Sequence, residues 1–76
     1  MTLQDLFARV LRVPADTIND ATSPETLRRK WSSMRHMALV AEIEREYGIR
    51  LSMNEIIEMQ SFGEARQILR RHGAPV

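Results

Sequence analysis

At three places in this 76-residue chain a small hydroxyl residue, with a carboxylate three positions on, stands at the head of an apolar-periodic stretch. The pairs are Thr2 with Asp5, Ser52 with Glu55 and Ser61 with Glu64, and each opens a stretch whose apolar side chains recur every three to four residues. That is the form of a capping box, in which hydroxyl and carboxylate each bond the backbone N–H groups that a helix start leaves free. A fourth start lies at Ser32-Ser33, ahead of Met37, Val40, Ile43 and Tyr47 at helical spacing. Strand signals are nearly absent. Ile49 and Leu51 alternate with Arg50, but two apolar residues are too few to hold a sheet, and they read as a buried tether.

The expected architecture is therefore all-α, a four-helix bundle with three long helices and one short. The first helix presents Leu3, Leu6, Phe7, Val10 and Leu11 on one face and stops near Arg12, because Pro14 pushes Val13 out of the helical region. The second runs from about Ser33 to Tyr47, with Gly48 free to take the left-handed conformation that closes it. Either Ser32 or Ser33 can cap it; Ser32 is preferred, because that leaves the Ser33 hydroxyl free on the first turn. A short helix after Ser52 turns Ile56, Ile57 and, at its end, Met59 inward. The last buries Phe62, Ala65, Ile68 and Leu69, carries Arg70, Arg71 and His72 at its negative end, and stops at Gly73, with Ala74-Pro75-Val76 expected to fray.

Between the first two helices, Val13 to Ser32 is a connection longer than compact domains usually tolerate without structure of its own. Ile18, Leu27 and Trp31 are spaced as apolar pegs, with turn chemistry at Asn19-Asp20 and Ser23-Pro24 between them. Ser23 followed by Pro24 fits an N-cap and first helical position, so a short helical turn is expected over Pro24 to Arg29.

A chain of this length forms one domain, residues 1–76, and buries only about 60–65% of the surface its unfolded form exposes, which leaves no room for a deep active-site cavity. It has no cysteine, hence no disulfide framework or thiolate metal site. No apolar run approaches a membrane span, and the N-terminus lacks a basic region followed by an apolar one, so a cytoplasmic protein is expected. The net charge of +1 is unevenly spread: residues 37–64 hold two basic and six acidic side chains, whereas residues 65–76 hold three basic and none acidic.

Ser33 and His36 are close enough along a helix for their side chains to meet, which raises nucleophilic catalysis. No carboxylate lies within one turn of His36 to orient its ring, and no oxyanion site is evident, so no catalytic residue is assigned and His36 reads as a polar surface residue. Two histidines without cysteine are too sparse for a metal site. Arg28-Arg29-Lys30, with Arg35 nearby, could touch phosphates. A following helix that displays Glu42, Glu44 and Glu46 would repel a duplex, so no nucleic-acid partner is expected. Met37 reads as core. What Ser33 does offer is a hydroxyl on a first helical turn, where an anion attached to its oxygen is favoured by roughly 0.3–1 kcal/mol.

Trp31-Ser32-Ser33-Met34 resembles the Trp-Asp-Ser-Leu attachment motif of acyl and peptidyl carrier proteins, and here as there an amphipathic helix follows. Leu6-Phe7 with Val10-Leu11 is similar to that family's first helix, Tyr47-Gly48-Ile49-Arg50-Leu51 to the link after its second, and Ser61-Phe62-Gly63-Glu64 to the start of its last. The resemblance implies a bundle of acyl-carrier type whose long loop delivers a serine to the second helix. It implies a 4′-phosphopantetheine arm, installed on Ser33 by a phosphopantetheinyl transferase, that carries acyl or related groups of lipid or secondary-metabolite biosynthesis as thioesters. The protein itself would catalyse nothing. Acyl-loading and acyl-processing enzymes would meet a monomer through Met34, in the place of a leucine that enzymes and arm touch, and through the acidic block, of which Glu42, Glu44 and Glu55 are the candidates. Trp31 is expected to peg the loop. Ser32 departs from the family, whose aspartate it replaces, and removes a charge that attracts the helix end and the transferase. The competing expectation is an interaction module that keeps the bundle and is never loaded.

Overall fold

The computed structural model describes residues 1–76. Five α-helices follow one another, α1 (Leu3–Leu11), α2 (Pro24–Leu27), α3 (Ser33–Tyr47), α4 (Met53–Glu58) and α5 (Phe62–Arg71), with 3₁₀ turns at Ala15–Thr17 and Arg28–Trp31. No strand forms, and Ile49 and Leu51 serve as a tether, with Leu51 buried. The three long helices and short α4 make the expected bundle, while α2 and the two 3₁₀ turns give the connection its shape.

Each helix starts where a hydroxyl can accept from the backbone. Thr2 accepts from the Asp5 N–H, Ser32 from Arg35, Ser52 from Glu55 and Ser61 from Glu64. Only at Ser52 does the carboxylate complete the box, the Ser52 N–H donating to Glu55 at 2.9 Å. At Ser61 the carboxylate of Glu64 takes the Ser61 hydroxyl instead. A further box closes at Ser23, where a hydroxyl rather than a carboxylate returns the bond: Thr26 accepts the Ser23 N–H, and Pro24 stands at the first position. Gly48 ends α3 at φ 64°, the left-handed value that a residue without Cβ adopts at no steric cost.

Phe7 is the centre of the core. It is fully buried, and its ring meets Trp31 edge-on at 5.5 Å and Phe62 edge-on at 5.0 Å. Such pairs add about 0.5–1.5 kcal/mol each beyond the area they bury. Trp31 thus pegs the long loop to α1, and Phe62 brings in the start of α5. The loop is held on two further sides. Gln4 Nε2 donates to the carbonyls of Ala15 and Ile18, and the first N–H groups of α5, on Phe62 and Gly63, donate to the carbonyls of Thr22 and Asp20.

Three expectations need correction. Met37 is 53% exposed, because the buried stripe of α3 runs through Leu39, Val40 and Ile43, and Met37 lies about 120° around the helix from Ile43. Ile57 is 60% exposed; α4 is six residues long and anchors through half-buried Ile56 and through Met59 at its end. The C-terminal residues do not fray, since Ala74 and Val76 pack against the core and Arg70 Nε donates to the Val76 carbonyl at 3.1 Å.

Candidate functional site

The long loop reaches α3 through the 3₁₀ turn Arg28–Trp31, and the order of side chains there follows from the cap. Ser32 has extended backbone and its Oγ accepts the Arg35 N–H, while its carbonyl accepts the His36 N–H. Ser33 is then the first helical residue, exposed, with its hydroxyl outside the cap. The N–H groups of Ser33 and Met34 are left without intrahelical partners, as at any helix start. One serine holds the backbone; its neighbour is presented to solvent at the positive end of a 15-residue helix.

Beside Ser33 lies a groove of about 340 Å³ between the loop, α3 and α4, lined among others by Trp31, His36, Met37, Ile57 and Met59. Its floor is fixed by His36, which does not lie on the surface as expected. The Trp31 indole N–H donates to His36 Nδ1 at 3.0 Å, and His36 Nε2 lies 2.8 Å from the Ile56 carbonyl, which can only accept. The imidazole is therefore the neutral tautomer with its proton on Nε2, and it bridges loop, α3 and α4. Both ring nitrogens are occupied, so neither can take a proton from Ser33, and the arrangement is no nucleophilic dyad. A signal for this was present in the sequence: His36 stands four residues before Val40 and seven before Ile43, in line with the buried stripe.

Met34, the other residue expected at the site, is 84% exposed beside Ser33. The carboxylates expected to face partners have work within the chain. Glu42 pairs with Arg9 of α1 at 3.0 Å and with Arg45 at 2.7 Å. Glu44 accepts the Leu51 N–H at 2.8 Å and holds the tether after α3. Glu55 closes the Ser52 box and accepts from His72 Nε2 at 2.9 Å. Its carboxyl is held below the usual carboxylate range, first by the Ser52 backbone N–H and next by His72, against a smaller opposing effect of burial. Arg35 is likewise occupied, donating to the Leu11 carbonyl at the end of α1.

No three His, Asp or Glu side chains gather in a way that could hold a metal ion, and no helix is long and apolar enough to cross a membrane. The arrangement brings together an accessible alcohol, unpaired backbone donors that favour an anion beside it, and a partly apolar groove alongside. A family model described as a phosphopantetheine attachment site matches residues 2–69, from the cap of α1 to the last buried leucine of α5. No curated protein matches the chain.

Proposed function

Because the chain belongs to the phosphopantetheine-attachment family, whose members are non-catalytic carriers with 4′-phosphopantetheine held covalently on a serine, we propose that Ser33 is the serine that carries the arm. The division of labour between the two adjacent serines supports this most strongly. Ser32 is tied to the Arg35 N–H, whereas Ser33 stands free on the first turn. Its position at the positive helix end favours the phosphodiester, and His36, held at the groove floor by Trp31 and Ile56, keeps that turn fixed.

When bound, the arm supplies a terminal thiol on which an acyl or related group rides as a thioester. The protein's part is delivery: it holds the intermediate on a tether so that successive enzymes meet it at high effective concentration. Met34, exposed next to the attachment point, is the side chain we assign to contact with those enzymes and with the arm. Groove residues Met37, Ile57 and Met59 would line its path.

The test is incubation with coenzyme A and a broad-specificity phosphopantetheinyl transferase, read by intact mass. Wild type and Ser32→Ala gain one arm; Ser33→Ala gains none. Failure of wild type with several transferases, without rescue by Ser32→Asp, would instead favour an interaction module that is never loaded.

A further inference from the structure

The cations of this chain are not evenly engaged. Arg9, Arg45, Arg66 and Arg71 pair with carboxylates, and Arg35 and Arg70 donate to backbone carbonyls. The remaining five cations make neither contact: Arg12 and Arg50 stand singly, whereas Arg28, Arg29 and Lys30 are exposed and consecutive on the 3₁₀ turn that leads into Ser32 and Ser33. Between Pro24 and His36 the one carboxylate is Glu25. Along α3 the first acid after Ser33 is Glu42, nine residues on and already paired. That spacing is about 13 Å along the helix axis, beyond a Debye length of about 8 Å at physiological salt. Along the chain the charges nearest Ser33 are therefore positive, and on α4, across the groove, Glu55 and Glu58 are engaged by His72 and Arg71.

The backbone adds a second observation. Arg28 has φ 52° and ψ −118°, a combination that favours glycine and strains a residue with a Cβ. A side chain stands there despite that strain, and it is a cation with no partner in the chain. Next to this turn the surface is apolar: Met34, Met37 and Ile57 are 84%, 53% and 60% exposed, and Met37 and Ile57 border the groove beside Ser33.

We propose that the face around Ser33 docks protein partners whose own docking surface is acidic, with Arg28, Arg29 and Lys30 as the charged edge and Met34, Met37 and Ile57 as the apolar centre. The polarity is opposite to that of a carrier that docks through acidic helices. This proposal rests on Ser33 as the attachment point, since a partner must reach the arm from this face. The cations steer the encounter and set its salt dependence, and the flexible methionines let one surface fit several partners.

The probes are two synthetic amphipathic helical peptides of equal length with leucine anchors, one rich in glutamate and one in lysine, titrated into the full isotope-labelled chain. The glutamate peptide shifts the amides of Arg28 to Lys30, Met34, Met37 and Ile57, and added salt reverses the effect. The triple variant R28Q/R29Q/K30Q, checked for folding by circular dichroism, binds that peptide about tenfold more weakly. The proposal is overturned if the lysine peptide occupies this face as well as the glutamate peptide does. It is also overturned if a short DNA duplex or a phosphatidylglycerol vesicle binds the face more tightly than the glutamate peptide. Arm loading by intact mass, run separately, distinguishes the two readings: a chain that takes no arm but binds the glutamate peptide here loses its carrier assignment and keeps its docking face.

Discussion

The indole N–H of Trp31 donates to Nδ1 of His36 across 3.0 Å, and the two rings stack with centroids 6.0 Å apart. Through this pair the loop that delivers Ser33 is joined to the helix that carries it, and His36 Nε2 extends the link to Ile56 on α4.

Replacing His36 with leucine leaves the Trp31 N–H and the Ile56 carbonyl half-buried without partners, which costs about 1–3 kcal/mol. The midpoint of urea unfolding falls accordingly. Trp31 is the only tryptophan, so its fluorescence reports the site directly, and the emission of the variant shifts to the red. An unchanged midpoint and spectrum would mean that the histidine bridges nothing.

Arg28→Gly removes the Cβ from a backbone conformation that disfavours it, and stability rises by about 1 kcal/mol. For a domain of this size that raises the melting temperature by about 4–8 °C. Arg28→Ala removes the same charge and retains the Cβ, so it brings no comparable gain. Equal effects of the two substitutions would assign the change to charge rather than to backbone.

Gly63→Ala acts on the other side of the loop. A Cβ there would stand 2.9 Å from the Asp20 carbonyl oxygen and 3.1 Å from the Asp20 Cβ, closer than these atoms allow. Either the loop or the start of α5 must move, at a cost of about 1–3 kcal/mol, seen as a lower melting temperature. Equal melting temperatures would show that the contact between Asp20 and Gly63 is looser than described.

Glu55 gives a pH dependence. Its carboxyl is held below the usual range by the Ser52 N–H first and by His72 second. A group whose pKa is lower in the folded state stabilises fully above its unfolded value, about 4.3, and loses that contribution as pH falls through the folded value. The stability gap between wild type and Glu55→Gln is therefore widest above that range and closes toward acid. A gap that widens on acidification would reverse the sign. His72→Ala removes part of the effect, since the Ser52 bond remains.

The parts of this fold legible in the sequence are those fixed locally. A cap is decided within four residues, so the starts at Thr2, Ser32, Ser52 and Ser61 and the stop at Gly48 could be placed from neighbouring residues alone. The core faces of α1 and α5 follow from strong periodicity, and all of Phe62, Ala65, Ile68 and Leu69 are buried as expected. The inward turn of His36 was obscured because a polar ring on the core face breaks an apolar pattern, and Met37 beside it completes a false one. The anchors of the loop were hidden for another reason: Gln4 to Ile18 and Gly63 to Asp20 are contacts between distant residues, and nothing in either local sequence marks them. The bonds of Glu42 to Arg9, Glu44 to Leu51 and Glu55 to His72 likewise join residues apart in the chain, and nothing local marks them.

The most direct measurement is peptide fragmentation of the loaded protein, which separates two serines that intact mass treats alike. With Ser32 holding the cap and Ser33 free, the phosphodiester falls on residue 33, and fragments ending at Ser32 carry no added mass. An arm found on Ser32, or on any residue other than Ser33, would contradict the account.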